Sequence, residues 1–461
     1  MPTYGGGMEI ILKENFVKPR TLPGFMELAP FDQLVFNKIK NTLEETYRLY
    51  GFLPLDTPVL ELSEILLAKA GGETEKQIYR FNKGDTDIAM RFDLTVPLAK
   101  YVAKNYGELS FPFRRYQIGK VYRGERAQRG RFREFYQSDI DIIGDGELGL
   151  MNDAEIPSVI YNIFKKLGLD DFTIRINNRK LLNGFFNMLG LTEKAGDIMR
   201  TIDKVEKIGK EKVIEELVEI GADEISARKI MDFISITGSN AEMIEKLKEF
   251  SDGNEAFDTG VTELEYVNGA VKAFGVPEEN FRIDLSIARG LDYYTGTVYE
   301  TTFNRHPEIG SICSGGRYDN LAGFYTDKKL PGVGISIGLT RLFFILSDKE
   351  YLNTENCSAC DALVIPMSED MTYAMTVTEA LRESGINTQI YLENKKFKAK
   401  MNYANKLGVP FVVFIGEDEI SSDTVTLKNF NTGEQTTDSV KVIASLIKSA
   451  LPENYKPIKL N

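Results

Sequence analysis

Between Arg114 and Gly144 the chain gathers eight cationic side chains: Arg114, Arg115, Lys120, Arg123, Arg126, Arg129, Arg131 and Arg133. They stand in a protein whose net charge is -12. Such a local reversal of sign suits a polyanion that the acidic remainder repels. The flanks alternate as strands do and the stretch between them is rich in Gly and Arg, so a long β-hairpin with a basic loop is expected. On its second strand, two-residue periodicity puts Gln137, Asp139 and Asp141 on one face. Cations beside carboxylates match a zwitterionic small molecule together with a nucleotide triphosphate. A hairpin with ordinary solvated surface charge is the bland alternative.

Three other segments offer convergent polar groups. Arg91, Asp93 and Thr95 alternate and are expected to share a face, where Asp93 could take an ammonium group and Thr95 add a hydrogen bond. Residues 288–296 hold Arg289, Tyr293 and Tyr294 in a glycine-bounded loop, one guanidinium for a phosphate and two phenols for a polar ligand. Residues 334–341 read as a strand meeting a helix through small residues, with Arg341 projecting into the junction. Taken singly, each has a structural explanation as a turn or as core packing.

The rare residues limit the chemistry. There is one histidine, His306, placed before a proline in an expected loop tip, which excludes histidine-rich metal sites and multi-histidine mechanisms. Cys357 and Cys360 form an isolated CxxC without a second pair or a nearby histidine, so no metal site is expected. Three cysteines in 461 residues fit a reducing compartment. Neither a signal pattern at the N-terminus nor an apolar run of membrane-spanning length is present, so a cytoplasmic protein is expected.

The elements that must position these groups follow from periodicity. Residues 30–50 read as a helix with Phe31, Val35, Ile39, Leu43 and Tyr47 as its apolar stripe. A short helix at 62–70, strands at 77–82 and 87–93, and a helix beginning between Asp93 and Asn105 precede the hairpin. Residues 180–275 change character to helices broken by single glycines, an expected insertion. Strand patterns resume at Phe281. From Asp361, β and α units alternate, predicting a small, largely parallel, sandwiched sheet closed by a hairpin at Asn431–Gly433 and a last helix. Its second helix is entered through Lys395, Lys396, Lys398 and Lys400, a solvated face or a nucleic-acid contact.

Along nearly its whole length the chain closely resembles the histidyl-tRNA synthetases, a family of class II aminoacyl-tRNA synthetases. Arg123-Gly124-Glu125 followed by Arg131 and Phe135 looks like the second signature motif of the class, and Gly338-Leu339-Thr340-Arg341 like the third. Residues 289–294 and 314–319 resemble two elements specific to the histidine enzymes. The resemblance implies an α+β fold: a class II antiparallel-sheet catalytic domain (1–178 and 279–350), a helical insertion (179–278), a linker (351–360) and an α/β anticodon-binding domain (361–461). It implies ATP-dependent attachment of L-histidine to tRNA(His) through a histidyl-adenylate, Mg2+ accompanying ATP, no tightly bound metal, and a homodimer.

By position, the resemblance assigns Arg123 to the α-phosphate, Glu125 and Phe135 to adenine, Arg131 to ATP, and Arg341 to the other adenine face and the γ-phosphate. Asp93, Thr95 and Gln137 would bind the ammonium and carboxylate of histidine, and Asp141, Tyr293 and Tyr294 its imidazole. Arg289 would stabilise the pentavalent phosphate. Arg126, Arg129, Lys395, Lys396 and Lys398 would meet tRNA. An in-line attack by a substrate carboxylate needs fixed cations and positioning, with no protein nucleophile. Thr340 departs from the acidic residue usual before the third-motif arginine, and the stretch before Pro30 departs as well. The rival readings are a synthetase-like regulatory subunit of ATP phosphoribosyltransferase, another class II synthetase such as the prolyl or threonyl enzyme, and an RNA-binding module without chemistry.

Overall fold

A computed structural model describes residues 17–68, 73–126, 130–288, 294–319, 321–348, 358 and 360–451. The first helix among the described residues is Pro30–Leu49, with proline in its first turn and Val35, Phe36, Ile39, Leu43 and Tyr47 buried. Four short strands follow, β1 (Leu53–Pro54), β2 (Leu60–Leu62), β3 (Arg80–Lys83) and β4 (Thr86–Met90). The helix Thr95–Asn105 leads to the long hairpin of β5 (Phe113–Tyr122) and β6 (Glu134–Ile143). Next come the helix Met151–Lys166 and β7 (Phe172–Asn178), seven helices from Arg179 to Ala273, and then β8 (Phe281–Ile283), β9 (Thr297–Phe303), β10 (Cys313–Tyr318), β11 (Gly332–Ile337) and the helix Leu339–Asp348.

Eight of these strands form one sheet in the order β1-β5-β6-β11-β10-β9-β7-β8. Its pairings are antiparallel except at the two edges, where β1 joins β5 and β8 joins β7 in parallel. The hairpin pairs from Phe113 opposite Ile143 to Tyr122 opposite Glu134. This register lets period 2 run unbroken down β6. Tyr136, Ser138, Ile140 and Ile142 turn toward the helices: the Tyr136 and Phe36 rings are 5.2 Å apart, Ser138 Oγ is 2.7 Å from the Tyr47 hydroxyl, and both isoleucines are fully buried. The odd-numbered residues are left for the opposite face. A separate antiparallel sheet, β2-β4-β3, stands beside it.

The insertion is helical as expected, and buried Gly184 and Gly260 explain how its helices meet. Each lies where an added methyl would overlap the backbone of the facing helix, at Phe257 and Leu181 respectively. The C-terminal region holds β12 (Ala362–Pro366), β13 (Thr388–Ile390), β14 (Phe411–Ile415), β15 (Val425–Asn429) and β16 (Gln435–Asp438), ordered β13-β12-β14-β15-β16. The largely parallel sheet expected there is instead mixed. β12 pairs in parallel with β13 and β14, whereas β14–β15 and β15–β16 are antiparallel. The reason is a short helix not anticipated from sequence, Glu417–Ser422, whose Glu419 carboxylate accepts the Gly416 N–H at 2.8 Å. It turns the chain back so that β15 returns beside β14.

Candidate active site

The odd-numbered side chains of β6 — Phe135, Gln137, Asp139 and Asp141 — line a cavity of about 480 Å³ on the open face of the large sheet. Phe92, Asp93 and Thr95 close one side, and Gly315, Tyr318, Gly334 and Ser336 of β10 and β11 form the floor. Arg123, Glu125 and Arg131 enter from the hairpin end, Arg341 from the helix after β11, and Tyr294 from the loop before β9.

Arg123 is held flat. Its guanidinium lies 4.4 Å from the Phe92 ring centre and 5.0 Å from that of Phe135, and Nε donates to the Phe92 carbonyl at 3.3 Å. Nη2 reaches Gln137 Oε1 at 3.5 Å. A cation fixed between two rings needs little rearrangement to meet charge developing on a ligand. Arg341 donates to the Ile309 carbonyl, which ties the helix Leu339–Asp348 to the loop after β9.

The deep end is acidic. Asp93 Oδ1 accepts the Thr95 and Val96 N–H groups at 3.1 and 2.9 Å, so the carboxylate sits on the amino end of the helix Thr95–Asn105. Burial raises its pKa, against the pull of those N–H groups and of Arg123. Asp141 is clasped by two partners: Arg115 Nη2 lies 2.6 Å from Oδ2, and the Tyr318 hydroxyl donates to Oδ1 at 2.8 Å. Burial still pushes it up to about 6, with Arg115 and Tyr318 opposing. Asp139 goes further, to about 7, because burial is compounded by Asp141 and Asp93 while only Arg115 and Ser336 oppose it. The strand behind must be bare for these carboxylates to fit. A methyl at Gly334 would overlap the Asp141 carboxylate, and one at Gly315 would overlap the Gly334 carbonyl.

Of the residues expected at a site, Asp93, Thr95, Arg123, Glu125, Arg131, Phe135, Gln137, Asp141, Tyr294 and Arg341 line this one cavity. Arg289, Tyr293, Arg129 and Cys357 lie outside the described residues. Arg91 is a correction. β4 ends at Met90, alternation stops there, and the Arg91 side chain turns away to donate to the Lys120 carbonyl at 2.7 Å and to approach Asp56 at 3.5 Å. The eight cations do not form one patch either. Arg114 pairs with Glu155, Arg115 with Asp141 and Lys120 with Glu134, which leaves Arg123 and Arg131 facing the cavity. Arg126 is exposed beside it, and Lys395, Lys396 and Lys398 are exposed at the start of the helix Phe397–Leu407. His306 is outside the cavity lining and lies 3.3 Å from Glu308.

The departure at Thr340 has a structural answer. Its Oγ1 accepts the Tyr136 N–H at 2.8 Å, joining the third motif to the backbone of β6. Sequence reasoning gave Arg115, Tyr318 and Ser336 no individual role beside the buried carboxylates. Arg115 is opposite Asp141 in the hairpin register, and Ser336 is opposite Asp139 across β11.

An antiparallel sheet of this order, with arginines at one end of its cavity and buried carboxylates at the other, is the catalytic fold of the class II aminoacyl-tRNA synthetases. The family model described as histidyl-tRNA synthetase matches residues 24–342, and one described as an anticodon binding domain matches residues 361–450. A histidine–tRNA ligase of Clostridium tetani is 57% identical, over 95% of this chain and all of its own length. That of Finegoldia magna is 48% identical, over 91% and 97%. The crystal structure of a histidyl-tRNA synthetase from Nostoc sp. PCC 7120 superposes with a TM-score of 0.86 at 41% identity, covering 95% of this chain and all of that one. The chain belongs to the histidyl-tRNA synthetase family.

Proposed function

We propose that the protein is a histidine–tRNA ligase: it attaches L-histidine to tRNA with consumption of ATP, through a histidyl-adenylate. The observation that carries the reading is the joining of Arg123 and Arg341 with Asp93, Gln137 and Asp141 in one cavity, in a chain 57% identical to a histidine–tRNA ligase. Arg123 lies next to Gln137, so a substrate carboxylate bound at Gln137 would meet an α-phosphate bound at Arg123. Asp93 and Thr95 take the ammonium, and Asp141 and Tyr294 take the imidazole. Phe135 and Glu125 hold adenine on one side, Arg341 lies over the other, and Arg131 meets the phosphates. Imidazole, both donor and acceptor, is selected because most other side chains would leave these buried groups unsatisfied. Arg289 is assigned to the pentavalent phosphate and Tyr293 to the imidazole by motif position. Among the described residues no group of three His, Cys, Asp or Glu side chains could hold a metal ion. Mg2+ is assigned to the phosphates of ATP, its usual oxygen donors.

The division proposed for the chain is catalytic residues 1–178 and 279–350, insertion 179–278, linker 351–360 and anticodon-binding residues 361–461. Lys395, Lys396 and Lys398 of the last region, with Arg126 and Arg129 at the hairpin, are the proposed tRNA contacts. A homodimer is supported by Leu60, Leu62 and Phe81, large apolar side chains 44–46% exposed on the small β2-β4-β3 sheet. Sedimentation at micromolar concentration tests it, and a monomer there would reject it. A cytoplasmic site of action is proposed; no helix among the described residues is long and apolar enough to cross a membrane.

Pyrophosphate exchange into ATP with each amino acid in turn tests the central reading. Exchange with histidine alone is expected; exchange with proline, or with no amino acid, overturns it. The regulatory-subunit reading shares the fold: a structure described as an ATP phosphoribosyltransferase regulatory subunit/histidyl-tRNA synthetase, from Bacillus halodurans, superposes with a TM-score of 0.70 at 22% identity. That likeness speaks to fold alone.

A further inference from the structure

Asp139 has no part in the roles assigned above, yet it lies between Gln137 and Asp141 in the cavity wall. It is 2% exposed, and its Oδ1 has no hydrogen-bond partner among the described residues. Asp141, by contrast, has both oxygens engaged, by Arg115 and Tyr318. A buried acceptor left unmet costs about 1–3 kcal/mol, and more for a charged group, unless a ligand supplies the donor. Along a strand, side chains of one face repeat every ~7 Å. From Gln137, beside Arg123, one repeat is about the reach of a histidine from its carboxylate to its ring.

We propose that Asp139 is a further specificity-determining residue, whose carboxylate accepts an imidazole N–H of bound histidine beside Asp141, which Arg115 and Tyr318 hold in place. The terminal torsion of Asp is soft, so either oxygen can turn to the ligand. Ser336, on the adjoining strand opposite Asp139, steadies the side chain from the floor. The proposal rests on the reading that places the substrate carboxylate at Gln137, beside an α-phosphate held by Arg123.

The test is pyrophosphate exchange by the full chain with L-histidine, 1-methyl-L-histidine and 3-methyl-L-histidine. Asp139→Ala is expected to raise the KM for histidine by 10- to 100-fold, with kcat within about threefold and the KM for ATP unchanged. The preference for histidine over one of the two methylated analogues is expected to shrink by at least 10-fold, because that analogue never made the bond. Asp139→Asn retains an acceptor oxygen and the volume, so it is expected to recover most of the histidine KM; if the alanine variant fails to fold, Asp139→Leu, of similar shape but without an acceptor, takes its place. A histidine KM within twofold of wild type in both variants overturns the proposal. So does a common loss in kcat, ATP KM and all three amino acids, the signature of a structural role. Arg123→Ala is measured alongside. If it retains wild-type exchange, the phosphate reading fails, whereas an inert Asp139 beside a crippled Arg123 variant sinks the Asp139 proposal alone.

Discussion

In the proposed reaction most of the chemistry converges on Arg123, whose guanidinium lies over the Phe92 and Phe135 rings before any ligand arrives. Removing one preorganised donor of this kind typically costs about 10²–10³ in rate. Arg123→Ala is therefore expected to lower the pyrophosphate-exchange kcat by at least about 100-fold, while thermal melting stays near wild type; a loss confined to KM would assign it to ground-state binding. Asp139 predicts a pH effect. Its pKa of about 7, and that of Asp141 near 6, stand above the ~3.9 of an unfolded aspartate. Between pH 4 and 7 the native state thus holds protons that the unfolded chain has released, and these groups erode stability as pH rises through that window. Asp139→Asn cannot ionise, so its gain in melting temperature over wild type should be larger at pH 8 than at pH 5. Equal gains at both values would show that the carboxylate carries no buried charge.

At the scale of elements, β6 is the organising strand, one face given to helices and the other to the ligand. Thr340 fastens the helix Leu339–Asp348 to it by accepting the Tyr136 N–H. Thr340→Val leaves a backbone donor buried and is expected to destabilise the fold by about 1–3 kcal/mol, read by denaturant unfolding, with Arg341-dependent ATP affinity falling in parallel. Unchanged stability would mean that the N–H finds another acceptor. Much of this strand was legible beforehand. The alternation of Gln137, Asp139 and Asp141 with apolar residues announces a two-faced strand, and all three reach the cavity. The pairing of Arg115 with Asp141 was not legible, because register is fixed by how the hairpin closes rather than by either strand alone. Arg91 was misplaced for a related reason: the pairing of β4 with β2 runs out at Met90, an event set by the partner strand. Tyr318 lay within the motif at 314–319 but was given no role of its own, since its hydroxyl acquires meaning only when β10 lies near Asp141.

For the whole molecule, the proposed reading divides adenylation from anticodon recognition between two sheets far apart in sequence. Lys395, Lys396 and Lys398 are exposed among Leu392 and Phe397, which are 61% and 48% exposed. Replacing the three lysines by alanine is expected to raise the KM for tRNA in aminoacylation by about 10-fold or more at low salt and to flatten its salt dependence by up to ~3 in the log–log slope. Pyrophosphate exchange, which needs no tRNA, should be unaffected. If both activities fell together, these lysines would belong to the folding of their domain. The C-terminal βα alternation was readable from sequence, but the reversal that makes β15 and β16 antiparallel depends on the six-residue helix Glu417–Ser422, too short for a periodic signal.

Where Gly315 and Gly334 lie against the amino-acid end, the wall of the chamber is naked main chain. Protein engineers wishing to retune this catalyst for a different monomer cannot shrink the recess from that side, since even a single methyl there would pry neighbouring strands apart. Any such redesign has to proceed through side chains of the lining such as Tyr294, Thr95 or Gln137.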